Sequence, residues 1–151
     1  MVEEGKPAPA FSLTSDTGET VTLESLRGKP VVLYFYPKDN TPGCTRQACG
    51  IRGAWSEFQR RGAVVLGVSP DSERSHVKFK EKYDLPFTLL ADPDHLVAEA
   101  YGVWVEKKNY GRTSMSVERS SFVIDVDGNI ARILRRVKPD EHADDVLAAL
   151  P

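Results

Sequence analysis

The hydrophobic pattern is clearest at Val31-Val32-Leu33-Tyr34-Phe35-Tyr36, a continuous β-prone run with no polar face, ended by Pro37. Such a run predicts a central strand covered on both sides. From Thr45 onward Ala48, Ile51, Trp55 and Phe58 recur at three- and four-residue spacing, which predicts one amphipathic helix ending near Gly62. The alternation continues with a strand over Ala63 to Ser69, a mostly polar helix over Ser72 to Tyr83 and a strand over Phe87 to Ala91. A short helix is expected over Pro93 to Tyr101, with Asp92 as its cap, Pro93 in the first turn and Gly102 as its stop. At the N-terminal end, Phe11 to Thr14 and Thr20 to Leu23 flank the turn Ser15-Asp16-Thr17-Gly18-Glu19 and predict a hairpin. Ser121 to Val126 and Ile130 to Val137 surround Asp127-Gly128 as a second hairpin, and Asp140 to Leu150 forms a last helix.

This order of elements implies an α/β fold: a three-layer sandwich whose central sheet is mixed, because a hairpin must be antiparallel, with helices on both sides. No internal repeat, low-complexity tract or linker interrupts it, so residues 1–151 read as a single domain. In open sheets of this kind, sites lie beyond the carboxyl ends of the strands. The segment Pro37 to Cys44 occupies such a place and runs into a helix N-terminus.

Composition narrows the function classes. With 40% hydrophobic and 28% charged residues and a net charge of -2, the chain resembles an ordinary globular protein and suggests no nucleic-acid partner. The longest apolar run is far below the roughly 20 residues a membrane helix needs, so no membrane partner is expected. The start Met1-Val2-Glu3-Glu4-Gly5-Lys6-Pro7 lacks the basic and apolar stretches of a secretory signal, and a cytoplasmic location is expected. No glycine-rich phosphate loop or dinucleotide fingerprint is present, which implies no bound cofactor.

Two cysteines, Cys44 and Cys49, carry the candidate chemistry. A thiol reacts as its thiolate, and a helix N-terminus favours negative charge through unpaired amides and the macrodipole. Thr41-Pro42-Gly43-Cys44-Thr45-Arg46 is polar and turn-forming, so burial of Cys44 is not expected. Complete ionisation could accelerate attack by no more than roughly 30-fold, since a free cysteine is already a few per cent thiolate at neutral pH. Donors aimed at separating oxygens can each add about 3 to 4 kcal/mol.

The stretch Pro37-Lys38-Asp39-Asn40-Thr41-Pro42-Gly43-Cys44 matches the peroxiredoxin pattern of Pro, three residues, Thr, two residues, Cys. With Tyr34-Phe35-Tyr36 before it and Ala48-Cys49 after it, the segment resembles the bacterioferritin comigratory proteins, also called Q-type peroxiredoxins. The likeness extends from about Gly5 to Leu150 and includes Asp92 to His95, Gly102-Val103-Trp104 and Arg119-Ser120-Ser121-Phe122. It implies a thioredoxin-like fold and a thiol-dependent peroxidase acting on hydrogen peroxide and organic hydroperoxides. By this match Cys44 is the peroxidatic cysteine, Thr41 and Arg119 are its polar partners, and Cys49 is the resolving cysteine. The resemblance also implies thioredoxin or a similar dithiol protein as reductant, and a resolving cysteine within the same chain fits a monomer.

Pro37, Pro42 and Gly43 then belong to the substrate pocket, with Tyr36 and Trp104 as possible walls. Plain core packing is the competing reading for both aromatics. Gln47 could orient the arginine, although an exposed helix glutamine is expected at that position. Two other functions stay open. Four residues rather than two separate the cysteines, which argues against a Cys-x-x-Cys disulfide exchanger but leaves a general thiol oxidoreductase as the alternative enzyme. A metal-holding module would need about four ligands, and His76, His95 and His142 lack ligand spacing; surface or capping roles are expected for all three, and no metal.

Overall fold

The computed structural model describes residues 2–151, and for Asn109 the backbone alone. In chain order the strands are β1 (Ser12–Ser15), β2 (Thr20–Thr22), β3 (Val31–Phe35), β4 (Val64–Ser69), β5 (Thr88–Ala91), β6 (Trp104–Asn109), β7 (Arg112–Val117), β8 (Ser120–Ile124) and β9 (Ile130–Leu134). The helices are α1 (Pro42–Gly53), α2 (Trp55–Arg60), α3 (Glu73–Tyr83), α4 (Leu96–Ala100) and α5 (His142–Ala149). Seven strands form one sheet in the order β2-β1-β5-β4-β3-β8-β9. β3 pairs in parallel with β4 and antiparallel with β8, and β4 pairs in parallel with β5. The sheet is therefore mixed, with the apolar run at its centre, and the N-terminal pair β1–β2 joins its edge through β5.

β3 shows how the sequence divides the core. Its residues alternate between two faces, as strand geometry requires. Val31, Leu33 and Phe35 enter one cluster with Leu66, Val68, Tyr101, Phe122 and Ile124, covered by α4. Val32, Tyr34 and Tyr36 enter the other, with Cys44, Ala48, Ile51, Phe58, Phe79 and Val146, covered by α1, α2, α3 and α5. Full burial of each large apolar side chain is worth about 1.5 to 3 kcal/mol. Both faces are therefore committed, and a one-residue slip of β3 would exchange them. Gly67 on β4 is required by this packing, since a Cβ there would lie 2.9 Å from the Tyr34 ring and 3.0 Å from Leu89.

Three elements differ from the expected pattern. The single helix over residues 45–62 is two helices, broken at Ala54 (φ -102, ψ 12), whose amide reaches both Gly50 and Ile51 carbonyls. Gly53 weakens the helix there, and the break lets Trp55 pack on Phe58 and Phe87, with ring centroids 6.3 and 6.1 Å away. The helix expected at Pro93 begins at Leu96, because His95 adopts a left-handed conformation (φ 50). Asp92 still serves it, accepting hydrogen bonds from the amides of Val97 (3.2 Å) and Ala98 (2.9 Å).

The β6–β7 hairpin was not expected. It pairs from Trp104↔Val117 to Asn109↔Arg112 and turns at Tyr110-Gly111, both at positive φ. Its strands carry no apolar face beyond the base, so neither alternation nor a two-residue Asn-Gly or Asp-Gly turn announced it.

Candidate active site

The register of β3 with β8 assembles the site. Phe35 pairs with Ser120, so Arg119, the residue before β8, sits beyond the carboxyl end of β3, where the chain enters Tyr36-Pro37 and the loop to α1. Thr41 (φ -97, ψ 156) precedes the helix and Pro42 occupies its first position, where proline's missing N–H is no loss. Thr45 N donates to the Thr41 carbonyl at 2.8 Å. Among the described residues, the amides of Gly43 and Cys44 have no acceptor in the protein.

Cys44 lies in this first turn and is 2% exposed, against the expectation that its polar neighbours would keep it at the surface. The apolar face of α1, with Ala48 and Ile51, turns the thiol inward. It is not isolated there. Arg119 Nη1 lies 3.4 Å from Cys44 Sγ and donates to Gln47 Oε1 at 2.5 Å. Gly43 admits the guanidinium, because a Cβ at that position would lie 3.2 Å from Arg119 Nη2 and 3.5 Å from Pro139 Cγ.

Gln47 is fully buried rather than an exposed helix residue. It lies three residues after Cys44, on the same helix face. That spacing, read beside Cys44, was the available signal for its place. Thr41 keeps close to the site, but its hydroxyl donates to the Lys38 carbonyl at 2.9 Å, leaving its lone pairs free to accept. Pro37 and Gly43 are half-buried and Pro42 is exposed along the same loop. Tyr36 packs in the layer that holds Cys44, with its hydroxyl donating to Asp39. Trp104 packs instead against the opposite layer and stacks on His95, with ring centroids 3.9 Å apart. Cys49 is half-buried further along α1, and both cysteines are free thiols.

Residues 4–133 match the AhpC/TSA family. The chain belongs to that family. The relatives agree: peroxiredoxin Bcp of Bacillus subtilis is 50% identical over 99% of this chain and 95% of its own length. Peroxiredoxin Bcp of Escherichia coli K12 is 46% identical over 97% of this chain and 94% of its own. Among solved structures, a trapped intermediate/ligand complex of the Xanthomonas campestris bacterioferritin comigratory protein, described for its alkyl peroxide reduction activity, superposes with a TM-score of 0.91. It is 38% identical over 97% of this chain and 96% of that one. Xylella fastidiosa PrxQ superposes with a TM-score of 0.92 at 34% identity, covering 98% and 94%. The fold is thioredoxin-like, and this peroxiredoxin is a thiol-dependent peroxidase, an oxidoreductase that takes peroxide as substrate and needs a dithiol reductant. No helix among its described residues is long and apolar enough to cross a membrane.

The histidines depart furthest from expectation. His76 and His142 are fully buried, not surface residues. His142 opens α5 beneath the peroxiredoxin's reactive helix, with Nε2 2.5 Å from Ser121 Oγ and its ring 5.2 Å from that of Tyr34. Burial, and then the nearby Arg119 charge, push its imidazole from 6.5 down to about 3. Burial, and then negative charge at Cys44, hold the Tyr34 phenol well above its ordinary range. Both rings therefore stay neutral near pH 7, leaving Arg119 as the cation against the sulfur.

The His142 shift has a defined sign. Its folded value lies below its unfolded value, so between about pH 6.5 and pH 3 the unfolded chain binds a proton the native one does not, and stability falls as pH falls. The contribution is up to about 1.4 kcal/mol per pH unit in that window. Urea unfolding of wild type and His142→Gln across pH 7.0 to 5.0 should show the steeper decline in wild type; parallel slopes would contradict the neutral buried imidazole.

Proposed function

We propose that Cys44 is the attacking thiol and Cys49 the resolving thiol, with Arg119, Gln47, Thr41 and the Gly43 and Cys44 amides shaping the peroxide step. One observation carries the assignment: a single guanidinium group touches Cys44 Sγ at the N-terminus of the helix that also bears Cys49. The Cys44 thiolate attacks the terminal oxygen of a hydroperoxide, the O–O bond breaks, and the departing alkoxide leaves as alcohol or water with a proton. Arg119 and the two free amides donate to the oxygens as charge develops between them. Thr41, whose own proton is committed to the Lys38 carbonyl, accepts from the hydroxyl of the incoming peroxide.

Cys44 is then a sulfenic acid. The Cys49 thiolate attacks its sulfur, water leaves and a disulfide forms, which a dithiol reduces back to two thiols. α1 runs unbroken through both cysteines, whose Cα atoms five residues apart along an ideal helix are separated by roughly 8.6 Å. A disulfide needs less than about 7 Å. The first turns of α1 therefore open before the bond closes. Thioredoxin or a similar dithiol protein is the reductant proposed, hydrogen peroxide and organic hydroperoxides the substrates, and one chain acting as a monomer in the cytoplasm the working unit, residues 1–151 serving as one domain. Placement of both thiols on one helix supports the monomer.

Cys44→Ser should abolish turnover, whereas Cys49→Ser should keep one oxidation per chain and accumulate a sulfenic acid that a dimedone-type probe traps. Equal loss of the first oxidation in both variants refutes this division of labour.

Gly50 and Gly53 test the opening. Each weakens the helix interior by about 0.5 to 1 kcal/mol relative to alanine. Close packing does not explain them, since a Cβ on Gly50 would meet only Ala143 at 3.9 Å and one on Gly53 nothing within 4 Å. Gly50→Ala with Gly53→Ala should leave attack on peroxide unchanged, slow disulfide closure several-fold and raise over-oxidation to sulfinic acid. Unaltered closure kinetics by tryptophan fluorescence would remove the glycines from the step.

A further inference from the structure

The loop that delivers Cys44 is held from behind by groups the peroxide chemistry does not use. Asp39, five residues before Cys44, is 6% exposed, and His76 on α3 is fully buried. Asp39 Oδ1 accepts from the Tyr36 hydroxyl at 2.6 Å. Asp39 Oδ2 accepts from Ser75 Oγ at 2.8 Å and lies 2.7 Å from His76 Nδ1. His76 Nε2 lies 2.9 Å from the Leu90 carbonyl at the end of β5. The Asp39 amide donates to Asp71 Oδ2 at 2.8 Å, and Ser69 Oγ donates to that same oxygen at 2.6 Å. Next in the chain, Asn40 adopts positive φ, and its Oδ1 accepts from Lys82 Nζ at 3.2 Å and Tyr83 Oη at 3.1 Å.

We propose that the Asp39–His76 pair is a positioning clasp: it fastens the Pro37–Cys44 loop to α3 and β5 and so sets Cys44 Sγ against Arg119. Proton accounting gives the clasp its strength. A carbonyl can only accept, so His76 Nε2 carries a proton. At 2.7 Å from a carboxylate oxygen, Nδ1 must have a second proton lying between the two atoms. The contact is therefore a short hydrogen bond in a dry environment, where the low local dielectric strengthens such bonds. Tyr36 supplies a further proton, its phenol held well above the ordinary range by burial and then by Asp39.

Asp39, Asp71 and His76 place ligating atoms within 4.8 Å of one another, an arrangement a cation could exploit. Each of those atoms already has a protein partner, and the hydrogen bonds account for the cluster without one. Neither Asp39 nor His76 contacts Cys44 by hydrogen bond. They act through the loop, whose short span from Asp39 to Cys44 transmits any shift. A displacement near 1 Å at a reacting atom can cost about a hundredfold in rate.

The clasp rests on Cys44 as the attacking thiol, and the test separates the two ideas. Peroxide consumption is followed by stopped flow at pH values where the Cys44 thiolate is saturated, with rates expressed per titratable thiol. Asp39→Ala removes the clasp and should lower the limiting rate about ten- to a hundredfold, while disulfide closure after oxidation stays within about twofold. Asp39→Asn should rescue to within about fivefold, because its amide can donate to a bare Nδ1 of neutral His76 and its oxygen can still accept from Tyr36. Ser75→Ala, which removes one donor and leaves the fold intact, should cost about threefold. A wild-type limiting rate in folded Asp39→Ala overturns the clasp, and so does equal loss in Asp39→Ala and Asp39→Asn. Should Asp39→Ala fail to fold, an unchanged limiting rate in Ser75→Ala overturns it. Retained turnover in Cys44→Ser would refute the assignment of the attacking thiol instead.

Discussion

The antiparallel pairing of β3 with β8 places a permanently charged guanidinium against a thiol 75 residues away in sequence, and the rest of the site is arranged around that contact. Arg119 is half-buried, and withdrawing such a cation from water is expensive unless its hydrogen bonds are met. Gln47 meets one of them, at the cost of burying its own amide, whose Nε2 has no partner within the described residues. The neutral state of His142 and Tyr34 follows from the same constraint, because further charge beside Arg119 and Cys44 would have to be buried too. Gly43 is the steric counterpart: a Cβ there would lie 3.2 Å from Arg119 Nη2, so any side chain would press the guanidinium away from the helix terminus.

Two requirements pull against each other in α1. In the proposed cycle, attack on peroxide uses the first turn intact, with its amides free to donate, whereas disulfide closure needs that turn opened. The apolar face of Cys44, Ala48 and Ile51 holds the helix down, while the exposed Gly50 and Gly53 and the break at Ala54 limit how firmly it is held. The upstream loop is fastened to α3 through Asp39 and Asn40, outside the segment that the proposed closure would open.

The layered fold was legible because its central strands are continuous apolar runs and its helices carry apolar residues at helical spacing; β3, β4 and α3 fall where that pattern puts them. The β6–β7 hairpin was not, since its charged strands bury nothing beyond their base and periodicity has no purchase on them. At the site, Cys44, Cys49, Thr41 and Arg119 were nameable through a motif, but their surroundings depend on long-range contacts. Gln47 looked like a surface residue until the sheet register brought Arg119 to it. His76 and His142 looked like surface or capping residues because nothing local reveals that Asp39 and Ser121 lie beside them. Thr41 was named from the motif, yet the direction of its hydrogen bond depends on the Lys38 carbonyl, which sequence cannot orient.

In the proposed mechanism Arg119 acts in the transition state rather than only on the population of thiolate. Stopped-flow reduction of hydrogen peroxide by wild type and Arg119→Ala, carried to pH values where the rate no longer rises with thiolate, separates the two. If Arg119 acts there, the limiting rate falls by about a hundredfold or more in the variant, as for the loss of a donor to a developing oxyanion. A limiting rate equal to that of wild type, with only the pH of half-maximal rate displaced, would contradict it.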